Sequence, residues 1–469
     1  MKKKLIIAMV ALFVLALSFA MAPKKANAIP AFSQKYHFSC AVCHTVFPNL
    51  NPFGRAFWRN GFRLPGTNGT PADATQIAEG LSLPNPWPIP VMVEGTIGYQ
   101  HYTNENAKAS TDAFSAGIDL VTAGAYKLYT PLANSMSFYV HYAGSAGNSL
   151  SQHQVVASIN GLGSGLGLAP HLFNLKLGQV KVASAYFQRQ EQIYVNAGPA
   201  DGNAQALNVG YDGEGGLLVG AKNPGFELYG TPGYHLWYKV TVTNDQGSYP
   251  AITGASNAEA LTGGTTSNAM EYTYQLKEYA PIPMGQLEFG YYGGTVSEPI
   301  AVNGNAWTNR VMVNGVDVDL ANDVYELGLT YMVQSDSNPY ASSGQTLPYG
   351  ITDTSNGYST FEAYGRYILP VMNNGIMLTA DYAQYSWTHK NSELEFANGV
   401  AGKGNGVTTD INTLYGGPIF PGTSYNGIKN ALDLQAEINL AYNAHLYLGY
   451  TFTNQQEDDT VGTGLDFAF

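Results

Sequence analysis

The sequence predicts a mainly β chain: an outer-membrane antiparallel β-barrel of about 16 strands, preceded by a small N-terminal helical segment. Three observations carry that prediction. From Val91 onward, segments of about ten residues alternate apolar and polar side chains, the pattern of strands with one face to lipid and the other to a lumen. The connections alternate too, short Pro- or Gly-bearing turns with long Gly/Ser/Asn/Thr stretches. Finally, 12% of the 469 residues are charged, about half the usual share in soluble proteins, while Gly (53) and Tyr (33) are abundant.

Residues 1–28 read as a secretory signal. Lys2 to Lys4 form the charged start, Leu5 to Ala20 the apolar run and Ala26-Asn27-Ala28 the small-residue cleavage site, so the mature chain is expected to begin at Ile29. The run is shorter than the roughly 20 residues a spanning helix needs, and no later run is long enough either. Removing the five signal lysines leaves 17 basic against 34 acidic residues, a net charge of −17. That acidity argues against nucleic acid as a partner.

Residues 29–85 read as a c-type cytochrome segment. Cys40-Ala41-Val42-Cys43-His44 contains the only two cysteines of the chain. Two thiols three positions apart can form thioethers to both vinyl groups of one haem, and the following histidine becomes the axial iron ligand. A disulfide or thioredoxin-like pair is the competing reading, but redox pairs are seldom followed by His and no βαβ pattern surrounds this one. Ser39 is placed to cap a helix carrying Cys40 to His44. Asn51-Pro52, an N-cap and N1 proline, start a second helix bearing Phe53, Phe57 and Trp58 that stops at Asn60-Gly61. So short a segment makes a poor core alone, and one covalent haem c plus surrounding protein would complete it. Pro84 to Pro90 then read as a stiff linker.

Residues 86–469 read as the barrel. Phe361, Ala363, Gly365, Tyr367 and Leu369 alternate with Glu362, Tyr364, Arg366 and Ile368, and Leu432, Leu434, Ala436, Ile438 and Leu440 with Asp433, Gln435, Glu437 and Asn439. Short turns are expected at Pro131 to Asn134, near Gly178, at Thr231 to Gly233, Pro281 to Pro283, Pro370 to Gly375 and Tyr442 to Ala444. Long external loops are expected at Asn244 to Asn268, Val296 to Ala321 and His389 to Asn430, with the Gly161 to Gly167 run also external. A weak strand near Tyr340 to Gly350 contributes to the count. Tyr126, Tyr129, Tyr229, Tyr234, Tyr279 and Tyr367, beside turns, suit aromatic girdles. The final alternating strand ends on Phe469, which is similar to the signal read by outer-membrane assembly machinery.

The run from Cys40 to Phe62, CAVCHTVFPNLNPFGRAFWRNGF, resembles the N-terminal signature of the fused monohaem cytochrome-porins of iron-oxidising bacteria. About 35 residues match closely, and beyond them only length and strand-turn style agree. The resemblance implies thioether cysteines Cys40 and Cys43, axial His44, and an outer-membrane electron-transfer oxidoreductase taking electrons from extracellular Fe(II). A periplasmic cytochrome or copper protein would collect them. Alternatives are a porin with a structural or regulatory haem, an outward electron conduit to minerals, and a haem enzyme acting on peroxide or sulfur compounds. A conduit usually needs several haems, whereas this chain has one attachment motif.

The sixth iron ligand stays open at this level. Between Ile29 and Val91 there is no Met, and the only other His is His37, close to the first thioether. If Val91, Val93, Ile97 and Tyr99 face lipid, Met92 faces the lumen; His141, between Val140 and Tyr142, is inward by the same rule. For each of these the plainer reading is a lumen-filling side chain.

Overall fold

Alternation of side chains along the strands closes one sheet on itself. In the computed structural model the described residues are 32–33, 36–46, 49–64, 75–78, 81–83, 89, 91–104, 109–130, 132–145, 150–183, 222–244, 270–302, 305–336, 356–369, 375–387, 430–441, 444–453 and 460–468. The signal segment, most of the Pro84 to Pro90 linker, Phe469 and the stretches expected as loops at Asn244 to Asn268 and His389 to Asn430 lie largely or wholly outside them.

The chain begins with a short hairpin, β1 (His44–Val46) and β2 (Asn49–Leu50), followed by helix α1 (Pro52–Arg59) and a second hairpin, β3 (Thr75–Ala78) and β4 (Leu81–Leu83). The barrel strands follow. They are β5 (Met92–Asn104), β6 (Ala109–Thr130), β7 (Ala133–Ser145), β8 (Ser151–Asn160), β9 (Asn174–Lys181), β10 (Lys222–Gly230), β11 (Leu236–Asn244) and β12 (Met270–Ile282). The second half comprises β13 (Gly285–Val302), β14 (Asn305–Ala321), β15 (Tyr325–Asp336), β16 (Asn356–Leu369), β17 (Ile376–Trp387), β18 (Asn430–Ala441), β19 (Ala444–Thr453) and β20 (Thr460–Ala468). These sixteen strands form a closed antiparallel barrel in which β20 pairs with β5, from Thr460 opposite Tyr102 to Ala468 opposite Glu94. Closure leaves no sheet edge. Segment 340–350 lies outside the described residues, and the barrel closes without it.

The polarity of the barrel is inverted relative to a soluble domain. Ile97, Phe114, Leu276, Val316, Leu329 and Leu448 are exposed on the outside, whereas Glu271, Lys277, Asp317, Gln334, Glu362 and Asp433 are buried on the inside. An apolar exterior over a closed, even-stranded antiparallel barrel is the outer-membrane arrangement, because every backbone group in lipid needs an internal partner. Among the described residues no helix is long and apolar enough to cross a membrane; the strands do so.

Connections at one end are tight, as at Ala441 to Ala444 and Ile282 to Gly285. Three expectations about connections are corrected. Val296 to Ala321 is not a loop but most of the longest hairpin, β13–β14, whose strands meet between Val302 and Asn305. Its Gly and Asn residues look like loop composition but sit in a fully paired ladder. Gly178 is not a turn but a kink inside β9, at φ +120°, where a Cβ would fall 2.2 Å from the Val155 carbonyl oxygen. The run Gly161 to Gly167 belongs to the β8–β9 connection, at the same end as the tight turns. There Gly163 N–H donates to the Leu132 carbonyl, 2.9 Å, in the turn between β6 and β7.

Candidate functional site

Asn51 organises the N-terminal segment. Its side-chain oxygen accepts the Gly54 N–H at 2.9 Å, capping α1 ahead of Pro52, and α1 stops at Asn60-Gly61, where the sequence signals place both ends. The Asn51 side-chain amide also donates to the carbonyls of Ala41 (3.3 Å) and Val42 (3.1 Å), and its backbone N–H donates to the Cys43 carbonyl at 2.9 Å. Those carbonyls are the acceptors a continuing helix would use. The expected helix over Cys40 to His44 is accordingly a single 3-10 turn, Cys40–Val42, in which Val42 N–H donates to Ser39, and His44 opens β1 instead.

The first turn of α1 lies directly on this motif. A Cβ on Gly54 would come within 2.1 Å of the Cys43 carbonyl oxygen, so glycine is required for the contact. Cys43 is half-buried and His44 buried at 9% exposure. The Cys40 backbone sits in the 3-10 turn; its side chain lies outside the described set.

Helix α1 packs across the inside of the barrel, with a different chemistry on each side. Towards β5 to β9, Phe57 and Phe62 join Phe32, Met92, Val121, Tyr139 and Val156 in one apolar cluster, and Trp58 meets Tyr139 edge-on at 5.3 Å between centroids. Towards β13 to β15 the contact is ionic. Arg55 Nη1 bonds Asp319 Oδ2 at 2.6 Å, Arg55 Nη2 bonds Glu326, and Arg59 Nη2 bonds Glu288 Oε2 at 2.7 Å. Arg366 Nη1 supports Glu326 from the wall at 2.9 Å. Burial works against the Arg55 charge, but Glu326, Asp319 and Glu288 outweigh it and hold the guanidinium well above its usual pKa. Arg59 is raised in the same way, burial being outweighed chiefly by Glu288, and its guanidinium lies 4.5 Å from the Tyr279 ring centroid. Just past the helix, Arg63 donates to Asn60 O (2.8 Å), Pro170 O (3.0 Å) and Asn174 Oδ1 (2.9 Å), and burial lowers its pKa.

Two girdle assignments change here. Tyr279 stacks with Arg59, and Tyr229 is buried with its hydroxyl on Asn160 Oδ1 at 2.9 Å, so both serve the interior, while Tyr367 is exposed outside.

The sequence-predicted ligand candidates separate clearly. Met92 does face inward, between exposed Val91 and Val93, but it packs in the apolar cluster with Phe57. His141 is also inward, and its Nε2 lies 2.9 Å from Asp119 Oδ1. His37 is exposed at φ +56°. A residue the sequence reading missed is His445 in β19, fully buried with its Nδ1 2.9 Å from Asn439 Oδ1. The alternation rule that turned His141 inward finds it, since Leu446, Leu448 and Tyr450 alternate with His445, Tyr447 and Gly449.

These residues fit a c-type haem. Two cysteines share one turn, the adjacent imidazole is buried against the lumen, and Tyr36, Phe38 and Phe53 supply aromatic faces nearby, Phe38 lying 5.5 Å from Tyr36 and 5.9 Å from Phe53. Burial pushes the Tyr36 hydroxyl up to about 12.

No protein-family model matches the chain, and no curated protein matches it either. Solved structures with similar barrels include a loop L8 deletion mutant of OmpT, an outer membrane protein of Vibrio cholerae, with TM-score 0.43, 10% identity, 81% of this chain and 99% of that one covered. OprB of Pseudomonas putida gives TM-score 0.48 and 9% identity over 81% of this chain and 93% of its own. A Rh. blastica porin mutant gives 0.41 and 11% over 81% and 100%. Likenesses this distant carry no argument about function, which has to come from the chain's own residues.

Proposed function

We propose that this protein is an outer-membrane monohaem c-type cytochrome that takes electrons from extracellular Fe(II) and passes them to a periplasmic cytochrome or copper protein. The observation that carries the reading is the seating of Cys40-Ala41-Val42-Cys43-His44 inside a membrane barrel, on a helix that is ion-paired to the wall. A cofactor attached there sits between two aqueous compartments, while α1 occupies the route a solute would take.

Haem held by Cys40, Cys43 and His44 supplies a one-electron iron couple. The protein's own residues set its surroundings. Asn51 and Gly54 fix the attachment turn against α1, and the aromatic cluster excludes water, a burial that tunes haem potential. On the long-loop side of the α1 contacts the inner wall carries Glu362, Asp381 and Asp433. Carboxylates on a lumen wall favour entry of a divalent cation over an anion. One electron leaves Fe(II) on that side and one arrives at the periplasmic carrier, so ferric product stays outside.

The test is stopped-flow mixing of the purified, oxidised protein with Fe(II). Reduction is expected within the mixing experiment, without thiol or sulfide donors. A haem midpoint potential far below that of the iron couple at the same pH would sink the reading. A porin with a structural haem is the second reading, favoured by the polar inner wall of the barrel; it predicts steady ion conductance in planar bilayers and no electron uptake from Fe(II).

A further inference from the structure

We infer that the outer wall from β15 to β20 carries a binding groove for an acyl chain of a phospholipid in the periplasmic leaflet. The groove lies on the opposite face of the sheet from the N-terminal segment and owes nothing to the haem.

Two neighbouring rungs of the ladder form it. In the first, Leu327, Gly365, Ala380, Leu434, Tyr450 and Val461 stand directly opposite one another across six successive strands. In the second, Tyr367 pairs with Leu378, Leu378 with Ala436 and Ala436 with Leu448. Both rungs face outward: Leu327, Tyr367, Leu378, Leu434 and Leu448 are exposed, while the alternate residues Glu326, Arg366 and Gln435 are buried inside. Gly365, Ala380 and Ala436 interrupt these rows of bulky side chains on three successive strands. They floor a hollow of about 970 Å³ whose outward side chains are aliphatic or aromatic. Elsewhere on the outer wall, side chains such as Ile97, Leu276 and Val316 stand out from the surface.

Position and shape select the occupant. Leu327 stands two residues from the start of β15 at Tyr325, and Val461 seven from the end of β20 at Ala468. The groove therefore climbs into the bilayer from the end that bears the tight turns, the periplasmic end in barrels of this class. A row crossing five strand spacings of about 4.8 Å is about 24 Å long. With strands tilted by about 40° it rises about 15 Å, half of the roughly 30 Å hydrocarbon core, which is the depth of one leaflet. At its lower rim the Tyr325 hydroxyl and the Asn322 side-chain amide both donate to the Met284 carbonyl at 2.8 Å, so polar groups begin where a headgroup would lie.

Water finds no partners in an apolar hollow, and an empty one forfeits the dispersion contacts of its lining. A slender, flexible hydrocarbon chain fills it. A second copy of the chain fits poorly, because two-fold pairing sets a patch against itself and would place hollow against hollow.

The experiment uses the full-length protein, extracted in mild detergent and supplied with dipalmitoyl phosphatidylethanolamine. Wild type is compared with Ala380→Leu/Ala436→Leu, which fills the groove, with Ala436→Leu alone, and with Ala116→Leu, an exposed outward alanine on β6 opposite Ile97. Native mass spectrometry reads lipid retained per barrel, and the thermal unfolding midpoint is measured with and without added lipid. Wild type and Ala116→Leu are expected to retain one phospholipid and to unfold at higher temperature when it is added. The double variant should keep its heat-modifiable folded band but retain about tenfold less lipid and lose the midpoint shift; Ala436→Leu should lose part of both. Should the double variant fail to fold, Ala436→Leu against Ala116→Leu gives the same comparison. Equal retention in all four proteins, or none in wild type, would overturn the proposal. So would retained lipopolysaccharide in place of phospholipid, or a wild-type dimer that the double variant abolishes, which would assign the groove to the outer leaflet or to a second copy.

Discussion

Asn51 and Gly54 show how much one or two side chains determine here. The Asn51 side chain at once caps α1 and ties up the Ala41 and Val42 carbonyls of the cysteine turn, so its loss removes a cap worth about 1 kcal/mol and leaves the turn held by the backbone bond to Cys43. Gly54→Ala puts a methyl group where the Cys43 carbonyl already lies, which requires α1 and the turn to separate. We expect a loss of about 1–3 kcal/mol of stability and a lower ratio of haem to polypeptide, measured by haem stain against total protein. Met92→Ala should behave differently. It leaves a void in the apolar cluster at a cost of about 2–5 kcal/mol, visible as a lower unfolding midpoint in denaturant with the visible spectrum unchanged. The cysteines give the plainest outcome: covalent haem should survive denaturing electrophoresis in wild type and vanish in the Cys40→Ser, Cys43→Ser double variant.

At the scale of the element, α1 is held by charges that only work together. Removing Arg55 strands Asp319 in a buried site, while Glu326 keeps Arg366 and Glu288 keeps Arg59, at a cost of about 3–5 kcal/mol. Arg55→Met should therefore loosen α1 and raise single-channel conductance in planar bilayers, and Arg55→Lys should recover only part of the seal, because a point charge cannot fork between two carboxylates. Alkali should not mimic the mutation. Arg55 has its pKa raised, so its contribution is complete below the ordinary guanidinium value and is lost only as pH rises through the still higher folded value. Much of this element was legible beforehand: Asn51-Pro52 and Asn60-Gly61 mark its ends, and alternation placed Met92 and His141 on the lumen face. The partners of Arg55 were not legible, since Asp319 and Glu326 lie 264 and 271 residues away and no local period links them. Strands β13 and β14 were misread for a related reason. Their glycines serve as landing places for neighbouring rings, as where Gly315 meets Tyr292, and composition alone cannot tell that use from a loop.

For the whole molecule, closure dictates behaviour in detergent. Sixteen strands with every edge paired should stay folded in cold detergent and unfold on boiling, giving two mobilities on the same gel. The ring order adds something else. Strands β7 and β15 are eight places apart in a ring of sixteen, so Tyr139 and Glu326 stand on opposite arcs of the wall. Helix α1 touches both, through Trp58 on one side and Arg55 on the other. It is in effect a strut across the diameter, and a hollow tube with a strut resists being squeezed into an ellipse when the surrounding bilayer presses on it. Spin labels placed outside on β7 and β15 should report a single narrow distance in the native chain and a broad one in Arg55→Met, the tube having lost its stiffness in that one direction.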